Sequence, residues 1–409
     1  LNHWLCQNSI TLGELQMDGP RACKVQEFDE VISLINMVFR EGSDQDIVSD
    51  YPLVFNRPMA DYMRIVKVDG KVVSHVPVAP REIVAENDRF IVGIISPTVT
   101  HPAYRHRGYG SLCLRDCVKI MENQNWPLSA LWTQEATFPF YQNSGWEVVG
   151  CQGWMYWLDS SDTNLFLNNN VYEISMYDKN NPQHIQNIIG IHDDESHRVY
   201  RSISDYQTLF SLPKITTYIA SSDGKFAAYI TLGKGSNKPG IIEAGGDVKA
   251  LECLINHVLV ENDTSIIQLL TPLTKTKLGM LMDSKKPEAK QPIERAQGVG
   301  FQMMRVNSLI GLLKRMAGQL QKKSGMISGS VCITCEDNGE TVSINIKDGL
   351  LEISPERTSN EVVLSRRQLT SLIFGNHEIV KSPAIKGKAG LLLKSLFPIY
   401  FPIWELDHS

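Results

Sequence analysis

Apolar residues recur at helical spacing from Val25 to Arg40, where Phe28, Val31, Ile32, Ile35, Val38 and Phe39 share one face, so the pattern predicts an amphipathic helix. The acidic stretch Glu41 to Asp50 reads as an exposed loop or short helix. Alternation then replaces helical spacing. It predicts strands at Met63–Val68 and Lys71–Val78 around an Asp69-Gly70 turn, an arm to Glu86, a turn at Asn87-Asp88, and a strand over Phe90–Thr100. Asp-Gly turns place positive φ at both central residues and suit antiparallel pairing. A helix at Ser111–Glu122, a strand at Leu128–Thr133, a short helix at Phe138–Ser144 stopped by Gly145, and a closing strand pair within Trp146–Leu158 complete a first unit.

A fainter copy follows. YIASSDGKFAAYITLG (Tyr218 to Gly233) echoes MRIVKVDGKVVSHVPV (Met63 to Val78), and Gly240 to Gly246 leads into a helix at Val248–Val260, so a duplicated unit is the economical reading. Lys275 to Gln297 is Lys-rich and polar, which predicts an exposed hairpin or linker. A third α+β unit begins with a helix over Asn307–Leu320. It continues through a hairpin at 331–348, strands at Leu350–Ser354 and Glu361–Leu364, and a helix at Ser365–Phe374. The tail LLLKSLFPIYFPIWELDHS is too apolar to lie in water, since each large side chain left exposed forfeits about 1.5 to 3 kcal/mol.

Length agrees with this division: 409 residues correspond to roughly two to three domains. The reading places a leader or upstream remnant at 1–20, a first domain at 21–160, a second at 161–305 and a third at 306–409. Forty Lys+Arg against forty-five Asp+Glu give a net charge of −5, which argues against a nucleic-acid partner for the whole chain. No run approaches the roughly 18 to 20 apolar residues of a membrane span, and LNHWLCQNS lacks the marks of a signal peptide, so a cytoplasmic protein without a membrane partner is expected. Eight scattered cysteines do not form a disulfide framework. In a strand, Cys332 and Cys335 point to opposite faces, which disfavours a shared metal, and Cys113 and Cys117 fit the buried side of a helix.

The stretch Ile94 to Gly150 carries the chemistry. Arg105-His106-Arg107-Gly108-Tyr109-Gly110 lies between a strand and a helix predicted to begin at Ser111. Glycines there let backbone N–H groups approach a phosphate, and the helix N-terminus adds its positive dipole end. The loop lacks the Gly-Lys-Ser/Thr of a Walker loop and the GxGxxG spacing of a dinucleotide fingerprint.

With Phe140-Tyr141-Gln-Asn-Ser-Gly145-Trp146 some thirty residues later, the segment resembles the GNAT (GCN5-related) N-acetyltransferase family, whose motif is Arg/Gln-x-x-Gly-x-Gly/Ala followed by a Phe-Tyr-x-x-x-Gly-Phe-like element. The resemblance implies an α+β fold with mixed, mostly antiparallel sheets, and acetyl-CoA as co-substrate with no metal. Residues Arg105, His106, Arg107, Gly108, Tyr109, Gly110 and Ser111 would cradle the pyrophosphate. Thr98, Val99 and Thr100 would pair with the pantetheine arm, one amide polarising the thioester. Tyr141 would return a proton to the CoA thiolate.

Nearly the whole chain resembles the enhanced intracellular survival (Eis) acetyltransferases, which join tandem GNAT domains to a carboxy-terminal domain similar to sterol carrier protein (SCP2-like). That resemblance implies a homo-oligomer, a hexamer or smaller, an acceptor amine on a cationic small molecule or a lysine, and a base supplied by the chain's terminal carboxylate, here Ser409. The family commonly ends in an aromatic residue, so Asp407 or a water relay stays open as the base. Asp44 and Asp46 are candidates for attracting a cationic acceptor. Glu243-Ala-Gly-Gly-Asp247 stands where the second unit's phosphate loop belongs, and its acids predict a catalytically silent copy. A non-catalytic protein that binds acyl-CoA or lipid is the competing reading.

Overall fold

The computed structural model describes residues 16–43, 45–149, 153–234, 239–261, 266–272, 275–292, 301–325, 327–375, 385–400 and 403–408. Among them no helix is long and apolar enough to cross a membrane.

The first unit contains β1 (Met17–Ala22), α1 (Phe28–Phe39), α2 (Ile47–Asp50), β2 (Met63–Val68), β3 (Lys71–Pro77), β4 (Ala79–Ala85), β5 (Asp88–Ile94), β6 (Val99–Thr100), α3 (Tyr109–Asn123), β7 (Leu128–Thr133), α4 (Phe138–Gln142) and β8 (Glu147–Val148). Met17–Ala22, four residues of which fall in the stretch read as a leader, pairs antiparallel with β2. Helix α1 buries Phe28, Val31, Leu34 and Ile35, whereas Phe39 is 43% exposed because the helix ends there and turns it outward.

The second unit contains β9 (Gly153–Leu158), β10 (Glu173–Met176), α5 (Pro182–Asp193), β11 (His197–Val199), α6 (Ile203–Leu209), β12 (Thr216–Ser222), β13 (Lys225–Lys234), β14 (Pro239–Gly246), α7 (Val248–Glu261), β15 (Ile267–Pro272), α8 (Lys277–Lys285) and β16 (Gln291–Pro292). Its sheet runs β10-β12-β13-β14-β15-β9-β16. Helix α8 replaces the hairpin or linker expected from polarity: Thr276 caps it by accepting from Gly279 N, and Leu278, Leu281 and Met282 bury one face.

After β17 (Phe301–Val306), the third unit contains α9 (Leu309–Arg315), α10 (Ala317–Ser324), β18 (Gly329–Cys335), β19 (Thr341–Lys347), β20 (Leu350–Ser354), β21 (Glu361–Leu364), α11 (Arg366–Phe374) and α12 (Gly387–Leu396). The sheet order is β20-β19-β18-β21. The single helix expected over Asn307–Leu320 breaks at Met316 into α9 and α10. Cys332 and Cys335 are both buried and free, and only Cys335 joins the apolar cluster that continues beneath α1.

The duplication extends beyond a shared turn. Asp69-Gly70 and Asp223-Gly224 both adopt positive φ, and each hairpin carries a register shift ending two residues before its Asp, between Val66 and Lys67 and between Ala220 and Ser221. The register shift thus falls at the same place in both hairpins, as a duplicated unit would have it. In each unit one parallel pair interrupts an otherwise antiparallel arrangement, β5 with β7 and β14 with β15.

The closing strands are exchanged. Gly153–Leu158, read as part of the first unit's closing pair, lies antiparallel to β15 in the second sheet. Phe301–Val306 returns to the first sheet and pairs with β7 and β8. Each unit thus receives the strand beside its central parallel pair from the far side of the other.

Candidate active site

Gly108 takes φ 84° and ψ −3° as the N-cap of α3, which begins at Tyr109, two residues before the expected Ser111. Having no side chain, Gly108 makes no cap hydrogen bond, and the helix's first amides, Tyr109 to Ser111, point outward at its positive end. A side chain at Gly110 would meet Thr100 Oγ1 at 3.2 Å and Phe140 Cε2 at 3.4 Å, so glycine lets the helix start sit close against β6 and α4. Around the loop, Arg105 Nε donates to Thr100 O (3.3 Å), Arg107 lies 5.3 Å from the centre of the Tyr104 ring, and His101 Nδ1 accepts from Ala103 N. His101 is therefore occupied locally, while Arg105, His106 and Arg107 remain exposed. The arrangement presents backbone donors and cations together, which suits a phosphate.

The predicted strand over Phe90–Thr100 is divided. β5 pairs with β7 up to Ile94↔Ala130, and Ile95 N still donates to Ala130 O, but β6 pairs instead with β3. A gap opens between β6 and β7. β6 is the edge of its own sheet, so one side of Val99–Thr100 carries backbone groups available to an extended ligand. Ser74 fixes β6 from behind, donating to Val99 O (3.2 Å) and sharing a 2.8 Å hydrogen bond with Thr100 Oγ1.

Tyr141, on α4, is buried among Phe140 and Trp146, with ring centroids 4.8 and 6.5 Å away. Burial pushes its phenol above the ordinary value, while the Thr98 and Thr133 side chains, one from each side of the gap, pull in the opposite direction. The phenol consequently stays protonated at neutral pH beside the diverging strands, as a proton donor should.

His75 escaped the sequence reading, since it looks like any alternating position of a strand. It is fully buried opposite Val99, 6.0 Å from the Phe55 ring, and neither ring nitrogen has a hydrogen-bond partner. Burial pushes its imidazole down to about 3, which keeps it neutral.

At the corresponding helix start of the second unit, two of the first amides already have a partner. Asp247, the N-cap of α7, accepts from Lys249 N (3.0 Å) and Ala250 N (3.1 Å), so the helix's donors are occupied by its own carboxylate. Glu243 does not face any phosphate loop. It is buried in β14, where it binds Arg201 through both oxygens (3.1 and 2.6 Å) and accepts from Tyr229 Oη (3.0 Å). Arg201 also holds Asp407 of the tail at 2.7 to 2.8 Å.

A cavity of about 370 Å³ lies between the first and second units, walled in part by Leu53, Arg81, Glu82, Arg201, Asp205 and Asp407. Burial lowers the Arg81 guanidinium, with Asp407 and Asp205 opposing the effect. Of the other expected acceptor residues, Asp46 caps α2 and accepts from Asn36 Nδ2 (2.7 Å), outside the cavity wall. Asp44 and Ser409 lie outside the described residues.

Residues 20–149 match a family profile described as an acetyltransferase (GNAT) domain. No curated protein sequence matches the chain. Among solved structures, a conserved protein from Enterococcus faecalis V583 described as a probable N-acyltransferase superposes with a TM-score of 0.70 at 15% identity, covering 95% of this chain and 98% of that one. A GCN5-related N-acetyltransferase from Anabaena variabilis gives 0.69 at 14% identity with the same coverage. Eis1 from Mycobacterium abscessus gives 0.63 at 12%, covering 94% of this chain and 98% of its own. At such identities the whole-chain likeness is one of fold.

Proposed function

We propose, from the premise of a GNAT-type acyltransferase domain at residues 20–149, that the protein moves an acetyl group from acetyl-CoA to a primary amine by direct attack in a ternary complex. The observation that carries this reading is the gap between β6 and β7 with the protonated Tyr141 phenol beside it and the uncapped start of α3 nearby. The pyrophosphate would lie on the amides from Arg107 to Ser111, flanked by Arg105 and His106. The pantetheine arm would extend along Thr98, Val99 and Thr100, one of whose amides polarises the thioester carbonyl.

The acceptor enters through the interdomain cavity. Glu82, Asp205 and Asp407 in its wall, with Glu243 behind Arg201, outnumber Arg81 and Arg201, which favours a cationic amine such as an aminoglycoside-like molecule or a lysine. An ammonium, whose reference pKa is about 10.4, must give up a proton before its nitrogen can bond to the thioester carbon. The Ser409 carboxylate is the better candidate for that base, because Asp407 is already paired with Arg201. As the carbon–sulfur bond breaks, Tyr141 gives its proton to the departing thiolate. The third unit, with its four-stranded sheet against α9 to α12, fits the sterol-carrier-like domain of the Eis resemblance.

The test is CoA release from acetyl-CoA against a panel of aminoglycosides, polyamines and lysine peptides, with Tyr141→Phe alongside. Turnover of a cationic amine that falls about 10²-fold in the variant supports the assignment. Acetyl-CoA binding without transfer to any amine favours a non-catalytic acyl-CoA-binding protein.

A further inference from the structure

The mount of Tyr141 reaches outside its own unit. α4 has five residues, too few to be fixed by its own hydrogen bonds, so the turn behind it decides where the phenol stands. In that turn Ser144 N and Trp146 N both donate to Tyr141 O (2.9 and 3.3 Å), and Gly145 takes φ 92°. A side chain at Gly145 would meet Arg366 Cδ at 3.0 Å and Arg305 Nε at 3.2 Å, so two arginine stems fill the space that glycine leaves. Arg305, on β17, donates from Nε to Ser144 O (3.0 Å) and from Nη2 to Glu122 Oε1 (3.1 Å) near the end of α3, and its guanidinium lies 5.6 Å from the centre of the Trp146 ring. Arg366 opens α11 in the third unit and donates from Nη1 to the carbonyls of Val306 and Asn307. A second link runs beside the first. Arg367 Nε donates to Glu147 Oε2 (2.6 Å), and Glu147 Oε1 accepts from Nε2 of Gln142, the residue after Tyr141 (3.0 Å).

We propose that Arg305 and Arg366 are positioning residues that hold Tyr141 beside the gap by clamping the turn behind it, so that the start of α11 makes the third unit part of the mount of the first unit's acid. The role in transfer rests on the acetyl-transfer reading above, whereas the clamp does not. The two arginines are 6% and 5% exposed and stand side by side, where burial and the neighbouring Arg366 hold the Arg305 guanidinium down to about 10. Like charges placed together are a poor way to fill a core, since apolar residues of similar volume would serve stability as well or better. What they supply is direction. One planar guanidinium reaches a carbonyl of the Tyr141 turn, the face of Trp146 and a carboxylate of α3 at once, and it thereby fixes α4 against the helix whose start would carry the pyrophosphate.

The experiment uses the full chain with Arg366→Ala, Arg366→Lys and Arg305→Lys, and with Arg366→Ala combined with Tyr141→Phe. Backbone amide exchange followed by mass spectrometry reads the clamp, while amine kcat and acetyl-CoA affinity by titration read positioning. In Arg366→Ala the expected result is exchange at least about tenfold faster over residues 138–146, with exchange in α3 within about twofold of wild type. The same variant should lose about tenfold in kcat with acetyl-CoA affinity within about twofold, and Arg366→Lys, whose stem refills the space beside Gly145, should recover part of the rate. On a Tyr141→Phe background, Arg366→Ala should cost less than about twofold further, since the group it positions has already been removed. Should Arg366→Ala fail to fold, Arg305→Lys, which keeps the charge and loses the Nε donor to Ser144 O, decides by the same readouts. Wild-type exchange over 138–146 in the variants overturns the clamp. A loosened turn with kcat intact, or a full additional loss on the Tyr141→Phe background, overturns the positioning role. If the wild-type protein acetylates no amine, that role falls with the reaction, while exchange still decides the clamp.

Discussion

Gly108 and Asp247 are the N-caps of equivalent helices, and only Asp247 brings a carboxylate to the backbone amides that follow it. One helix start is left open to an anion and the other supplies its own. Duplicated scaffolds need differ by little for one copy to fall silent, because the donors that bind a phosphate are the same donors a cap satisfies.

That difference predicts a single cofactor per chain. Calorimetric titration with CoA should give one site, and Gly108→Asp should weaken it at least about tenfold, equivalent to about 1.4 kcal/mol. Gly108→Ala supplies the control, since it carries the strain of positive φ without the charge. A second CoA per chain, or equal losses in the two variants, contradicts this account.

The Tyr141 phenol is raised by burial, and an acid acts only while it holds its proton. The alkaline limb of the kcat profile should therefore lie above pH 10, the ordinary phenol value, and should vanish from the residual activity of Tyr141→Phe. The stability linked to Tyr141 has the same sign: it is complete below the unfolded pKa and lost as pH rises through the higher folded one. An alkaline limb near pH 8 assigns the proton to another group.

His75 predicts the opposite pH dependence. Its imidazole is held down to about 3, so the unfolded chain binds a proton that the folded chain refuses. Stability is full above the unfolded value of about 6.5 and declines as pH falls toward 3. His75→Leu should flatten that decline and, by removing two unpaired buried nitrogens, leave the protein as stable or more stable at neutral pH by about 1 to 3 kcal/mol. A melting temperature that drops instead, at neutral pH, would show that the imidazole is hydrogen-bonded in solution.

Much of this arrangement is legible from residues. The Asp-Gly hairpins, the helix after Gly108-Tyr-Gly110 and the short helix that ends before Gly145 follow from turn chemistry and spacing, which are local properties, whereas Tyr141 stands out within that helix only through the family resemblance. Pairing is not local. GWMYWL (153–158) and FQMMRV (301–306) read simply as strands, and nothing in an apolar run names the strand it will join, so their exchange between the two sheets is invisible until the fold is seen. Polarity misled at Lys277–Lys285, where three buried residues suffice to dock a helix that also carries Lys277, Asp283 and Lys285. His75 and Arg201 escaped notice because their importance lies in burial, and sequence reports burial only on average.

The exchanged strands also settle how the molecule can be taken apart. Leu131 meets its partner Met303 only after the entire second unit has been synthesised, so the first sheet cannot close while the ribosome is still making the middle of the chain. A fragment ending at Leu158 would carry a strand with no sheet to enter and a sheet with an empty slot. Each unit leans on a strand from beyond the other, so a lesion that unfolds the second unit also disturbs the strand that flanks β7 in the first.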